Sequence, residues 1–241
     1  MTLPKSGTYS FEVIGAGVVY EDDDTKELSG ARINGKIRLE RGETITVALG
    51  QGSKGSYLSG SGATFVVKDT GNRPEPLFVA AGAGVSYSDD NYGRASLAKT
   101  ANGNDKIGSS GVQKFQSGDD KDFYCAGAGF LEAPKVRRFN DGSEPPQSYS
   151  QGLMGGIGYR PGYGYDLEGG FGGGGGTSIR GLNGQLVFYR GCGGGYTGGS
   201  SRIRNAWDCD GGGGGCFSVD PNATFDHKFE KYGKCEIKFL N

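Results

Sequence analysis

Histidine, cysteine, carboxylate and glycine are the residues here whose spacing bears on chemistry. The one histidine is His227, in Phe225-Asp-His-Lys-Phe229. A hydrolase triad needs a histidine oriented by a carboxylate, but Asp226 is only its sequence neighbour, and adjacent strand residues face opposite sides. His227 therefore reads as a surface residue of a strand. The cysteines, Cys125, Cys192, Cys209, Cys216 and Cys235, lack the paired C-x-x-C spacing of a zinc site. Glu21-Asp22-Asp23-Asp24 has the carboxylates a calcium ion favours, but not the EF-hand glycine and glutamate positions; it reads as a solvated loop. Gly15-Ala-Gly17 and Gly82-Ala-Gly84 match fragments of a dinucleotide fingerprint, yet no helix pattern follows either. These residues predict no enzyme, no metal and no cofactor.

Aromatics and arginines are more informative. Tyr159-Arg160-Pro-Gly-Tyr163-Gly-Tyr165 concentrates three tyrosines and an arginine in one glycine-rich loop. Tyr196 and then Arg202-Ile-Arg204-Asn-Ala-Trp207 lie between the last two glycine stretches. Tyrosine, tryptophan and arginine among glycine and serine is the composition of adaptable recognition loops. The same rings also suit a second role, capping a region poor in apolar side chains, and the two roles are compatible. Cys192, Cys209, Cys216 and Cys235 fall in the last 50 residues of the sequence, where one or two disulfides would staple a weak core. Five reduced thiols is the other reading, and the odd count leaves Cys125 over. Asn222-Ala-Thr224 is a glycosylation sequon.

The elements that position these residues read as strands. Residues 8–14 alternate, with Tyr9, Phe11 and Val13 on one face. Residues 31–40 and 43–49 around Arg41-Gly42 predict a hairpin. Residues 63–68 form another strand, and the apolar run 76–81 a buried central one. Gly184–Tyr189 stands as an isolated strand-like island, and 216–219, 224–229 and 234–240 return to strand grammar. No helix of four turns is expected. Apolar, alternating ends thus bracket a glycine-rich interior of about 82–215, which predicts one β module over 1–241, closed by its first and last strands.

Composition fits this. Glycine makes up 49 of 241 residues, against an average near 7%. The glycines lack collagen's three-residue period, and 13 Tyr and 13 Phe argue against disorder. A net charge of −1 does not suggest nucleic acid as the partner. No apolar run approaches the ~20 residues of a membrane span, and Met1–Gly7 has no apolar h-region. The runs 172–176 and 211–215 predict extended, left-handed helices of about three residues per turn, the polyproline II geometry without proline. Lacking Cβ atoms, such helices can approach until their backbones bond to one another.

Several segments, in order, resemble the glycine-rich ectodomain of the anaplastic lymphoma kinase and leukocyte tyrosine kinase receptors. They are Thr8–Gly17, Leu39–Gln51, Ala63–Lys68, Pro76–Gly84, Gly169–Gly176, Gly193–Gly199 and Lys231–Leu240. The resemblance implies a TNF-like jelly-roll β-sandwich with an inserted bundle of polyglycine II helices. It also implies an extracellular module that binds a protein ligand. Tyr196 matches the tyrosine of the family's Gly-Gly-Gly-Tyr-x-Gly-Gly motif, which precedes its ligand-facing loop. Where those receptors carry acidic residues, this chain has Arg202 and Arg204. The kinase Asp-Phe-Gly is absent, so the resemblance brings no kinase activity. The expected role is ligand binding at a cell surface. The alternative is an adhesive fibre tip of a microbe or virus, touching cell-surface glycan or protein.

Overall fold

The computed structural model describes residues 1–20, 23–53, 59–71, 73–111, 125–134, 143–158, 167–182, 185–205 and 208–240. It is mainly β, with 40% strand and 4% helix. The strands in chain order are β1 (Gly7–Ile14), β2 (Val18–Tyr20), β3 (Asp23–Leu28), β4 (Gly30–Leu39), β5 (Thr44–Ala48), β6 (Thr64–Asp69) and β7 (Glu75–Ala80). After a short helix α1 (Asp90–Gly93) come β8 (Ser178–Leu182), β9 (Gln185–Tyr189), β10 (Ser201–Asn205), β11 (Asp208–Gly211), β12 (Phe217–Ser218), β13 (Thr224–Lys228) and β14 (Lys234–Phe239).

Two four-stranded antiparallel sheets, β13-β4-β1-β14 and β12-β7-β6-β5, pack face to face. The alternation of β1 buries Tyr9, Phe11 and Val13. Across the sandwich, Phe11 meets Phe78 at 4.9 Å between ring centroids. Gly35 lies opposite Phe11 on β4, and a Cβ there would stand 2.5 Å from the Phe78 ring. The missing side chain is what admits that ring. β1 pairs with β14 from Tyr9↔Phe239 to Ile14↔Lys234, so strands near the two ends of the sequence lie side by side, as expected.

β6 and β7 are buried on both faces. Val66 and Phe78 face the sandwich core, while Phe65, Val67 and Val79 pack against Phe130 and Leu153. That double burial explains their unbroken apolar runs. The expected hairpin of 31–40 with 43–49 does not form. β4 is held between β1 and β13, whereas β5 pairs with β6 in the opposite sheet. The turn at Arg41-Gly42, with Gly42 at φ +88°, carries the chain from one sheet to the other. The 184–189 island is not isolated either: β9 pairs antiparallel with β8 and parallel with β11.

Outside the strands the glycine-rich segments bond to one another through their backbones. Residues 191–195 make the pattern plain. The N–H groups of 192–195 donate to the carbonyls of Cys125, Gly212, Ser61 and Ala128 in turn, at 2.7, 2.9, 3.0 and 3.3 Å. Their carbonyls at 191–194 accept from Val85, Gly175, Gly199 and Gly82, at 3.0, 2.8, 3.0 and 2.9 Å. In both series the fourth partner belongs to the same segment as the first, so the pattern repeats every three residues. The approach is close enough to exclude side chains. A Cβ on Gly213 would stand 2.0 Å from the Arg94 carbonyl oxygen, and one on Gly174 2.4 Å from that of Gly60. The run 172–176 opens in a turn, with Gly172 and Gly173 at φ +105° and +82°. Its extended part is therefore shorter than the sequence suggests.

Candidate recognition surfaces

The structure divides the described candidate residues between two clusters. Tyr159, Arg160, Tyr163, Tyr165 and Trp207 lie outside the described residues, as do Glu21 and Asp22. Tyr196, Arg202 and Arg204 are described, and among the described residues Tyr196 packs with other rings while the two arginines pair with carboxylates.

Tyr196 follows directly on the bonded glycines 193–195. Its N–H donates to Gly215 at 2.8 Å, and its carbonyl accepts from Phe130 at 2.9 Å. With both backbone groups fixed, its ring joins a column. It stacks with Phe217 at 4.4 Å and with Phe130 at 5.9 Å, and Phe130 in turn stacks with Tyr149 at 5.0 Å. The Lys99 ammonium sits 4.9 Å from the Phe217 centroid. Beside the column, Pro74, Pro76, Phe130, Leu131 and Tyr196 line a groove of about 370 Å³, with Thr70, Arg73 and Glu75 as its polar rim. Leu131 is 50% exposed and Ile107 55%. The Leu131 N–H donates to the Gly108 carbonyl at 3.3 Å, which ties the groove-lining Leu131 to the 107–108 turn.

Arg202 and Arg204 belong to the hairpin of β10 and β11. Arg202 pairs with Asp89 at 3.0 Å and Asp210 at 3.5 Å, and its guanidinium lies 4.0 Å from the Tyr92 centroid. Its hydrogen bond holds the Asp89 carboxyl below the usual carboxylate range. Arg204 pairs with Asp208 at 3.3 Å. Arg190 also pairs with Asp208 and lies 4.4 Å over the Tyr87 ring. The wholly buried Asp210 accepts from Ser88 Oγ at 2.6 Å and from the Tyr87 N–H at 3.3 Å. Each of these three arginines therefore has a carboxylate of this chain beside it, and the cluster fastens the hairpin to the segment around α1.

The remaining chemically notable residues serve structure. Asp226 turns to Arg32, whose Nε donates at 2.7 Å, while His227 Nε2 lies 2.8 Å from the Ala95 carbonyl oxygen. The expected disulfides do not form: all five cysteines are free thiols. Cys216 and Cys235 pack in the sandwich core, Cys209 clusters with Cys125 and Tyr189, and Cys192 lies inside the glycine network. Asn222 is exposed in a turn. Among the described residues no helix is long and apolar enough to cross a membrane.

Sequence reasoning missed Phe130 and Leu131, which lie in a polar stretch without periodicity. Phe130-Leu131, an apolar pair amid small and charged residues, was the available signal. A comparison with known protein families and with curated protein sequences finds no match to this chain.

Proposed function

We propose that the chain is a non-catalytic, extracellular recognition module that binds another protein through the groove beside Tyr196. The observation that carries this reading is the placement of half-exposed Leu131 in one groove with the stacked rings of Phe130 and Tyr196. An apolar patch with a polar rim is the composition of a protein contact. A stacked column fixed at its backbone loses little freedom on binding. In this reading the fold is a TNF-like jelly roll with a polyglycine II bundle, similar to the glycine-rich region of the anaplastic lymphoma kinase and leukocyte tyrosine kinase receptors. The three-residue repeat of bonds around 191–195 supports it, because polyproline II geometry has three residues per turn. Arg202 and Arg204, engaged with Asp89, Asp210 and Asp208, then support the fold of the β10–β11 hairpin.

The test is binding of a fluorescent tetramer of the whole chain to a panel of cells, followed by flow cytometry. Saturable binding is expected. Leu131→Asp should abolish it, and Tyr196→Ala should weaken it about tenfold. If Leu131→Asp binds like the parent while the double change Arg202→Ala, Arg204→Ala does not, the groove is not the site.

A further inference from the structure

A second groove, of about 690 Å³, crosses the outer face of the β13-β4-β1-β14 sheet. The register sets its lining in rows. Thr224 pairs with Asn34, Asn34 with Glu12, and Glu12 with Glu236, so these four form one row across the sheet. Lys36, Ser10 and Lys238 form the next. Amide, hydroxyl, carboxylate and ammonium groups thus alternate as donors and acceptors over the sheet's outer face, while the Phe11 ring points inward to Phe78. Such a lining suits a ligand rich in hydroxyl and amide groups, and its volume falls in the usual small-ligand range of about 300–1,000 Å³.

One margin of this groove is the turn between β12 and β13. Asp220 pins it: Oδ2 accepts the Lys36 N–H at 2.7 Å, Oδ1 accepts the Asn222 N–H at 2.9 Å, and the Asp220 carbonyl accepts the Ala223 N–H at 3.2 Å. Asn222 and Thr224 are both exposed, and both line the groove. They are the asparagine and threonine of the sequon Asn222-Ala-Thr224. The acceptor residue therefore stands at the mouth of a polar trough on its own protein.

We propose that Asn222 is N-glycosylated and that the first sugars of its glycan lie along this groove. The inference rests on the extracellular placement proposed above. In the transfer, the Asn222 amide nitrogen attacks C1 of an oligosaccharide carried on a polyprenyl pyrophosphate. The C1–N bond forms, the C1–O bond to pyrophosphate breaks, the amide loses one proton to a base, and polyprenyl pyrophosphate leaves. Asn34 and Thr224 then face the first sugar, with Lys36 and Lys238 in the next row. The opposite outer face of the sandwich is the one covered by Phe130, Leu153 and Tyr196. A glycan at Asn222 therefore leaves the groove beside Tyr196 clear.

To test this, the full chain is secreted from a eukaryotic host behind a cleavable signal peptide, and then treated with peptide N-glycosidase. A mobility shift is expected in the parent and in Thr224→Ser, and its loss in Asn222→Gln and Thr224→Ala. No shift in the secreted parent, or a shift that survives Asn222→Gln, overturns the attachment. Acylation of surface lysines, mapped by mass spectrometry before and after deglycosylation, tests the seating. Lys36 and Lys238 should react more slowly with the glycan present while Lys106 is unchanged; equal rates overturn the seating. The same preparations enter the cell-binding assay. Retained binding with an unmodified Asn222 overturns this inference alone, and a glycosylated chain that binds no cell overturns the recognition reading alone.

Discussion

Thr64 Oγ1 donates a hydrogen bond to the Ile14 carbonyl at 2.6 Å, joining strands of opposite sheets. The same oxygen accepts the Gly50 N–H at 3.0 Å. All of these groups are buried, so a single hydroxyl satisfies two backbone groups that have no access to water. Thr64→Val keeps the shape and removes the hydroxyl. We expect a loss of about 1–3 kcal/mol in urea unfolding. A loss below about 0.5 kcal/mol, the scale of ordinary surface changes, would mean that the bond does not tie the sheets.

Glycine substitutions should sort by what a Cβ meets. At Gly213 it meets the Arg94 carbonyl oxygen at 2.0 Å; at Gly71 it meets nothing within 4 Å, and the strain is φ +76° alone. Gly71→Ala should cost about 1–2 kcal/mol. Gly213→Ala should cost more than about 3 kcal/mol or prevent folding, because packed backbones must separate. Similar melting temperatures for the two variants would count against a core of bonded glycine backbones.

The thiols offer a chemical probe. Burial pushes the Cys209 and Cys216 thiols up to about 12 and Cys235 to about 11, and raises Cys192 as well. A thiol that ionises so reluctantly reacts slowly. At pH 8 the native chain should react slowly with a disulfide reagent, Cys235 ahead of Cys192 and Cys216. In guanidinium without reductant all 5 cysteines should titrate. A titre lower by two or four would restore the disulfide expectation.

The Arg32–Asp226 pair predicts an acid dependence. The hydrogen bond from Arg32 lowers the Asp226 pKa. A depressed carboxylate pKa contributes stability that is present above the unfolded value, near 3.9, and lost as pH falls through the folded one. The pair is partly exposed, so the effect is modest. Asp226→Asn should lower the melting temperature at pH 6 and leave it nearly unchanged near pH 2. An equal drop at both would assign the effect to packing.

The strands were legible where burial has a period. Tyr9, Phe11 and Val13 on β1 and the two-sided runs of β6 and β7 announce themselves through side chains. The sheet exchange between β4 and β5 was not legible, because Arg41-Gly42 serves a hairpin and a crossing equally well. Nor were the partners of 191–195: the groups that bond are peptide N–H and C=O, which every residue but proline carries, so the sequence marks where backbones can meet but not which ones do. Of the candidate surface, Tyr196 was visible by type. Leu131 was not, since nothing local distinguishes an exposed leucine from a buried one.

The glycine network also sets how stability responds to temperature. A side-chain core exposes hydrocarbon on unfolding and so raises the heat capacity, whereas newly hydrated peptide groups lower it. Here a large share of what unfolding wets is peptide, at segments such as 60–62, 82–85, 191–195 and 211–215. The heat-capacity increment per residue should fall below the usual ~12–15 cal/mol/K, giving a flatter stability curve. A chain built this way holds its shape over a broad thermal range without being unusually stable at any one temperature, and cooling weakens it less than it weakens an oil-like interior.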